Sequence, residues 1–108
     1  MRIGVVCFVL MMVFALAAFG QGAVGTLNGT VFDPSGSVVA GATVKARNVA
    51  TAVEHEATTT AAGNYTIPYL PAGTYSVSVS HAGFSTATAE NVILRIAQTL
   101  TVDMTLKV

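Results

Sequence analysis

The sequence has one cysteine, no tryptophan and two histidines. A single cysteine, Cys7, cannot form a disulfide within the chain, so stability must come from the packing of the core. The histidines, His55 and His81, offer little to a metallopeptidase, whose zinc usually needs His and Glu at helical spacing plus a third ligand. The absence of tryptophan removes one of the two side chains that carbohydrate modules typically stack on sugar rings.

Charged residues are also scarce, at 9% of the chain. Beyond residue 20, four basic residues stand against five acidic ones, which gives a net charge of −1. The basic residues are spread along the sequence, whereas proteins that bind nucleic acid or anionic membranes need clustered lysine and arginine. The sequence therefore predicts no nucleic-acid partner. These charged residues are Lys45, Arg47, Arg95 and Lys107 against Asp33, Glu54, Glu56, Glu90 and Asp103.

The first 20 residues have the layout of an export signal. Arg2 precedes an apolar run over residues 3–18, and small residues follow. A charged start, an apolar middle and a small-residue end are typical of a cleavable signal peptide. Cleavage before Gln21 fits best, and a second frame would cut before Ala18. We expect residues 1–20 to be a signal helix and residues 21–108 to form one exported domain, in the periplasm, in the outer membrane or outside the cell.

A membrane anchor and a lipoprotein signal are the two alternatives for this segment. A permanent membrane anchor needs about 20 apolar residues, and this run is slightly short, with no basic cluster after it. A lipoprotein needs a cysteine directly after the cleavage site, whereas Cys7 lies inside the apolar run.

Beyond the leader, apolar and polar residues alternate with period two, and turn residues interrupt the pattern about every ten residues. Such strands each have one apolar face, and no helix is predicted to cover it, so two sheets must pack face to face. We therefore expect an all-β, seven-stranded antiparallel β-sandwich. The predicted strands are 24–33, 42–48, 53–60, 65–67 (limited by Pro68), 74–80, one with Val92, Leu94 and Ile96 inward, and one with Leu100, Val102, Met104 and Leu106 inward.

Few residues remain as candidates for chemistry. Glu54, His55 and Glu56 are adjacent on a predicted edge strand, so His55 points away from both glutamates and the three cannot share a metal ion. His81 is expected to be half-buried and bonded to the backbone. No catalytic triad can be assembled, because the serines and threonines occupy outward strand positions. We predict no catalytic, cofactor or metal site.

The tyrosines offer one possible ligand contact. Tyr65 and Tyr75 are expected in the core, which leaves Tyr69 as the one candidate platform for stacking on a sugar, although a loop-packing role is the more ordinary one for this residue. Asn28-Gly29-Thr30 and Asn64-Tyr65-Thr66 match the glycosylation acceptor pattern, but both are interpreted as turn and strand residues.

Five segments in a fixed order resemble the carboxypeptidase regulatory-like domain family. They are 29–36 (GTVFDPSG), 39–44 (VAGATV), 59–65 (TTAAGNY), 70–77 (LPAGTYSV) and 82–84 (AGF). The resemblance implies a prealbumin-like sandwich, related to the Ig-like arrangement, without peptidase activity. Similar domains stand after the signal peptide of bacterial TonB-dependent outer-membrane receptors.

We therefore expect a non-catalytic exported accessory or interaction module without cofactors, either the N-terminal extension of such a receptor or a stand-alone relative of one. Its partner is then another protein or a covalently linked outer-membrane barrel. One alternative is a weak carbohydrate-binding module, which would use Tyr69. Another is an accessory domain of a metallocarboxypeptidase, which rests on the family name alone.

Overall fold

The computed structural model describes residues 23–108. The predicted signal peptide, with Arg2 and Cys7, lies outside these residues. Within the described range, no helix is long and apolar enough to cross a membrane.

Within residues 23–108, eight strands form two sheets that pack face to face, which confirms the predicted all-β sandwich. The first sheet has the order β4-β1-β7, and β8 also pairs with β1; the second has the order β3-β2-β5-β6. The strands are β1 (Val24–Phe32), β2 (Thr43–Asn48), β3 (Glu54–Thr58), β4 (Asn64–Pro71), β5 (Gly73–Ser80), β6 (Ala87–Leu94), β7 (Thr99–Thr101) and β8 (Met104–Thr105).

The core lies between the sheets and comes from the period-two pattern. In β1, Leu27, Gly29 and Val31 are buried, whereas Asn28 and Thr30, which alternate with them, are half-buried. Tyr65 and Tyr75 are the largest buried side chains, as expected for core tyrosines. Within residues 23–108, eight strands enclose a cluster of sixteen buried apolar side chains, so this segment has the packed core of a folded unit.

The predicted end of the fourth strand at Pro68 is wrong. Ile67 pairs with Leu27 and Leu70 pairs with Gly25, so three steps along β4 match two steps along β1. This is a β-bulge, in which Pro68 and Tyr69 of β4 lie opposite the single residue Thr26 of β1. The missing N–H of Pro68 is tolerated because the ladder is already interrupted there.

The expected inward position of Ile96 is also wrong, since 60% of this side chain is exposed. β6 ends at Leu94, and the chain turns immediately, with the Arg95 N–H donating to the Gln98 side-chain oxygen at 2.9 Å. Ile96 therefore lies in a turn, where alternation no longer decides which way a side chain points.

The first and last strands are parallel, which corrects the expectation of a purely antiparallel sandwich. β7 and β8 both pair with β1 in the parallel direction, at one constant register from Thr26–Thr99 to Phe32–Thr105. The predicted seventh strand is thus two short strands separated by Val102 and Asp103. Parallel pairing places the start of β1 and the end of β8 at opposite ends of the sandwich.

The parallel pairing of β1 with β7 and β8, which we call the parallel seam, is interrupted between β7 and β8. Gly29 of β1 is required at this interruption. A Cβ on Gly29 would overlap the carbonyl of Val102, which belongs to the backbone and cannot move aside cheaply. We expect Gly29→Ala to lower the free energy of unfolding by about 3 kcal/mol or more, because the clash forces the seam apart. Urea denaturation followed by circular dichroism measures the change.

Gly73→Ala is the matched control for this substitution. Its added Cβ would meet the amide nitrogen of Asn48 at 3.2 Å, so that side chain must move by only a small fraction of the displacement that Gly29→Ala demands of the backbone. We expect a loss of about 1 kcal/mol or less. Equal denaturation midpoints for the two variants would contradict a critical approach at Gly29.

Candidate functional site

The outward side of the first sheet has a shallow depression of about 350 Å³, which is lined by neutral polar side chains. Leu27 and Val31 of β1 point into the core, so Asn28 and Thr30, which alternate with the buried positions, point outward. The neighbouring strands alternate in the same way. We call this surface the polar face; it is formed by Asn28, Thr30, Asn64, Thr66 and Thr101.

The two Asn-x-Thr motifs pair with each other on the polar face. Asn28 lies opposite Thr66, and Thr30 lies opposite Asn64. The hydroxyl of Thr30 donates to Oδ1 of Asn64 at 2.7 Å, and the hydroxyl of Thr101 donates to Oδ1 of Asn28 at 2.6 Å. Both motifs are thus ordered strand residues, as interpreted from the sequence. With each Oδ1 used as an acceptor, the remaining polar groups of the two amides are N–H donors.

A substitute hydrogen-bond arrangement closes the gap between β7 and β8. The hydroxyl of Tyr65 donates to the carbonyl of Val102, and the N–H of Thr30 donates to a carboxylate oxygen of Asp103 at 2.8 Å. The Val102 N–H still donates to the Asn28 carbonyl at 2.7 Å, and the two side chains satisfy the Val102 carbonyl and the Thr30 N–H, for which the interrupted ladder provides no main-chain partner. The sequence analysis missed this role of Asp103, because the carboxylate contacts a residue 73 positions away.

The same arrangement alters the acidity of Tyr65. Burial raises the pKa of the Tyr65 phenol from 10.0 to about 12, and the nearby negative charge of Asp103 adds to the effect. Desolvation and a like charge both disfavour the phenolate. Tyr65 is therefore a neutral hydrogen-bond donor, with no role as a proton acceptor at neutral pH.

Tyr69, the predicted ligand contact, lies on the bulge of β4. Its side chain is 79% exposed, and its backbone has φ of 58°, in the left-handed region. A bulky residue rarely adopts this conformation. The loop-packing interpretation is not supported, because a packed side chain would be covered. Its contact with a ligand stays a prediction.

The other titratable candidates lie away from the polar face. Glu54 and Glu56 are exposed on the edge strand β3, whereas His55 is half-buried on the opposite side, as predicted. Glu56 forms an ion pair with Lys45 at 3.3 Å. His81 is half-buried, and its Nδ1 lies 3.1 Å from the carbonyl oxygen of Ala82. Residues 23–108 contain no group of three or more His, Cys, Asp or Glu side chains placed to hold a metal ion.

The polar face can make hydrogen bonds to a ligand. Its side chains are hydroxyls and carboxamides. Among the described residues, no serine or threonine hydroxyl makes a hydrogen bond to a histidine, so the usual activated nucleophile is absent from this part of the chain.

The family comparison covers most of the chain. The model of the carboxypeptidase regulatory-like domain matches residues 26–107, which include all eight strands except the start of β1. No curated protein sequence matches the chain.

Solved structures with the same fold have varied functions. The Bacillus anthracis TIE protein is 23% identical with a TM-score of 0.61, over 79% of this chain and 16% of its own. A Bacteroides uniformis protein described as carbohydrate binding is 19% identical with a TM-score of 0.61, over 76% and 40%. Catechol 1,2-dioxygenase from Acinetobacter is 13% identical with a TM-score of 0.63, over 81% and 53%.

The chain therefore spans between 16% and 53% of the length of these three proteins. At such identities the likeness establishes the fold alone. Because the three proteins include both a binding protein and an enzyme, the fold does not decide between these functions.

The raised pKa of Tyr65 predicts a specific loss of stability in alkali. The folded protein holds the phenolic proton more tightly than the unfolded chain, so this contribution is complete below pH 10 and is lost as the pH rises towards about 12. We therefore expect the stability of Tyr65→Phe to fall less in alkali than the stability of the wild type. At neutral pH the same variant should be less stable by about 1–3 kcal/mol, because the Val102 carbonyl loses its donor.

Urea denaturation midpoints measured from pH 8 to pH 12 test this expectation. Tyr69→Phe is the control, since it removes an exposed phenol and should retain the alkaline decrease. If Tyr65→Phe kept the full decrease, the assigned environment of Tyr65 would be wrong.

Proposed function

The chain belongs to the carboxypeptidase regulatory-like domain family, and on that basis we propose that it is a non-catalytic accessory module that connects and spaces two parts of an exported protein. The observation that carries this proposal is the parallel pairing of β1 with β7 and β8. Antiparallel pairing of the first and last strands would bring both ends of the domain together. Parallel pairing makes the domain a link through which the chain enters at one end and leaves at the other.

The length of β1 sets the spacing. Its nine residues span about 30 Å at about 3.3 Å per residue. Ala23 lies at the end of the sandwich near Ala72, whose N–H donates to the Ala23 carbonyl, while residues 106–108 follow β8 at the other end. A spacer needs a stable body of fixed length more than it needs a reactive site.

The satisfied polar groups support the non-catalytic part of the proposal. Among residues 23–108, no buried side-chain nitrogen or oxygen lacks a hydrogen-bond partner. Catalytic sites commonly keep strongly perturbed titratable groups in a cleft. Here the phenol of Tyr65 has a raised pKa, but its hydroxyl is already donated to the Val102 carbonyl.

The wider context completes the proposal. The layout of residues 1–20 supports export to the periplasm, outer membrane or cell exterior. The order of the turn segments, which resembles domains placed before TonB-dependent receptors, favours a covalently linked outer-membrane barrel or another protein as the partner. Reading the gene beyond the codon of Val108 tests the link: plug and barrel strands in frame would support it, and an unrelated neighbour after a stop would remove it.

We expect the two ends of the domain to be about 30 Å apart in solution, because they lie at opposite ends of a nine-residue strand. Residues 23–108 contain no cysteine, so Ala23→Cys and Val108→Cys together create a single pair of labelling sites. Electron spin resonance between two spin labels measures the distance. A distance below about 15 Å, less than half the span of β1, would contradict the spacer proposal.

A second candidate function is weak carbohydrate binding, which the exposed ring of Tyr69 favours. Among the described residues Tyr69 is the one aromatic side chain that is largely exposed, and the neutral donors and acceptors of the polar face belong to the same sheet. Aromatic rings contact the apolar faces of sugars, and hydroxyl and amide groups bond to their hydroxyls.

An array of neutral oligosaccharides tests this candidate with residues 23–108. We expect any bound glycan to lose at least about tenfold in affinity for Tyr69→Ala, because the stacking surface is removed, and to keep its affinity for Tyr69→Phe, which retains a ring. Equal binding by the wild type and Tyr69→Ala would exclude Tyr69 as the platform.

A further inference from the structure

The two ends of the sandwich differ in the residues that build their turns. One end, which we call the Ala72 end, holds the start of β1 and the connections 49–53 (β2 to β3), Ala72 (β4 to β5) and 95–98 (β6 to β7). The opposite end holds the connections 33–42, 59–63 and 81–86 and the residues after β8. Each end is therefore a separate loop surface.

Exposed apolar side chains are concentrated at the Ala72 end. Seven large hydrophobic residues in the described range are exposed, and only Val38 and Val108 belong to the opposite end. We call the other five the apolar tip; they are Val49 (59% exposed), Val53 (52%), Tyr69 (79%), Ile93 (58%) and Ile96 (60%). They come from both sheets, with Tyr69 in β4 and Ile93 in β6, and they share one end of the sandwich. Exposed apolar side chains gathered at one end commonly mark a site of interaction with a protein or a membrane.

Backbone strain separates the two ends in the same way. The four glycines with positive φ all lie at the opposite end, where the chain turns at no steric cost. The non-glycine residues with positive φ all lie on or near the apolar tip; they are Ala52, Tyr69, Asn91 and Ala97, with φ between 56° and 62°. Each costs of order 1 kcal/mol, and such strain tends to occur at functional sites.

Hydrogen bonds hold the tip in one arrangement. The N–H of Ala97 donates to the carbonyl of Val24 at 2.8 Å, and the N–H of Val49 donates to the carbonyl of Thr74 at 2.9 Å. Oδ1 of the buried Asn48 accepts from the N–H groups of Ala50 and Thr51 at 2.9 and 3.2 Å. The tip is thus a preformed surface that loses little conformational entropy on binding.

The charge of the tip indicates the kind of surface it fits. The segments 49–53, 69–73 and 95–98 contain one charged residue, Arg95, and the exposed Glu54 follows Val53 directly. Aliphatic side chains with a tyrosine and an arginine at their margin suit a bilayer interface, where the arginine can reach the headgroups while its neighbours enter the apolar layer.

The chain outside the described residues joins at this same end. Residues 1–22 lead directly into Ala23, and residues 3–18 are an apolar run with the composition of a membrane-entering segment. While that segment is attached, the Ala72 end is the part of the domain closest to the bilayer. The opposite end is separated from it by the length of β1.

We propose that the apolar tip docks on the surface of a lipid bilayer, with neutral or zwitterionic headgroups because the domain has no basic cluster. This docking is independent of the spacer role. The association is weak and reversible, with a constant of about 10⁴ M⁻¹ or below, since a few partly exposed side chains contribute no more than a single acyl chain does. The tip then orients the long axis of the domain away from the membrane.

Sedimentation with phosphatidylcholine vesicles tests the proposal, using residues 23–108 so that the apolar leader does not contribute. We expect Ile96→Asp to reduce the vesicle-bound fraction at least about fivefold, because a carboxylate would have to enter the apolar layer. Val38→Asp is the matched control: Val38 is 45% exposed at the opposite end, and its variant should bind as the wild type does. Thermal unfolding shows that both variants are folded.

A second readout reports the position of the tip directly. Because the chain has no tryptophan, Tyr69→Trp provides a single fluorophore at this surface. We expect its emission to shift to the blue when vesicles are added, and Ile96→Asp in the same background to abolish the shift. This pair of measurements separates insertion of the tip from adsorption through another face.

Three results would overturn the proposal. The first is that residues 23–108 do not sediment with vesicles. The second is equal sedimentation of Ile96→Asp and Val38→Asp, without a blue shift in Tyr69→Trp. The third is concentration-dependent dimerisation that Ile96→Asp removes while vesicle binding is absent, which would make the tip a contact between two copies of the chain.

Discussion

The parallel pairing of β1 with β7 and β8 is the constraint on which the rest of the structure depends. β1 is bonded on both sides, antiparallel to β4 and parallel to the last two strands, so it is the internal strand of its sheet. A parallel partner cannot follow directly in the chain, because the connection has to return along the full length of the sheet. Here the whole second sheet forms between β1 and β7 and thereby provides that return.

The seam between β1 and the last strands determines which residues can occupy the first sheet. The approach of the Val102 carbonyl leaves room only for glycine at position 29, and the gap between β7 and β8 is closed by the hydroxyl of Tyr65 and the carboxylate of Asp103. The Tyr65 hydroxyl and the Asp103 carboxylate already bond within the seam, so the outward side chains of the same strands have no bonds to make there and need only be polar enough to face water. Threonine and asparagine fill them and bond to one another across the strands.

The same pairing places the start of β1 and the end of β8 at opposite ends of the domain. Because the domain begins at one end and finishes at the other, it can act as a link in a longer protein, while one of its loop surfaces remains free to contact something else. At the opposite end, glycines with positive φ let the chain turn without steric cost. The turns near Ala72 carry non-glycine residues in the left-handed region beside exposed apolar side chains, an arrangement that folding by itself does not favour.

Local chemistry in the sequence was sufficient to predict the sandwich, the buried tyrosines and the edge position of β3. These features depend on period-two alternation and on turn residues, which act over a few positions. The bulge at Pro68, the exposed Ile96 and the parallel direction of the last strands were decided only by tertiary structure. The contacts of Asp103 with Thr30 and of Val102 with Gly29 join residues 73 positions apart, and no local pattern specifies which strand lies beside which.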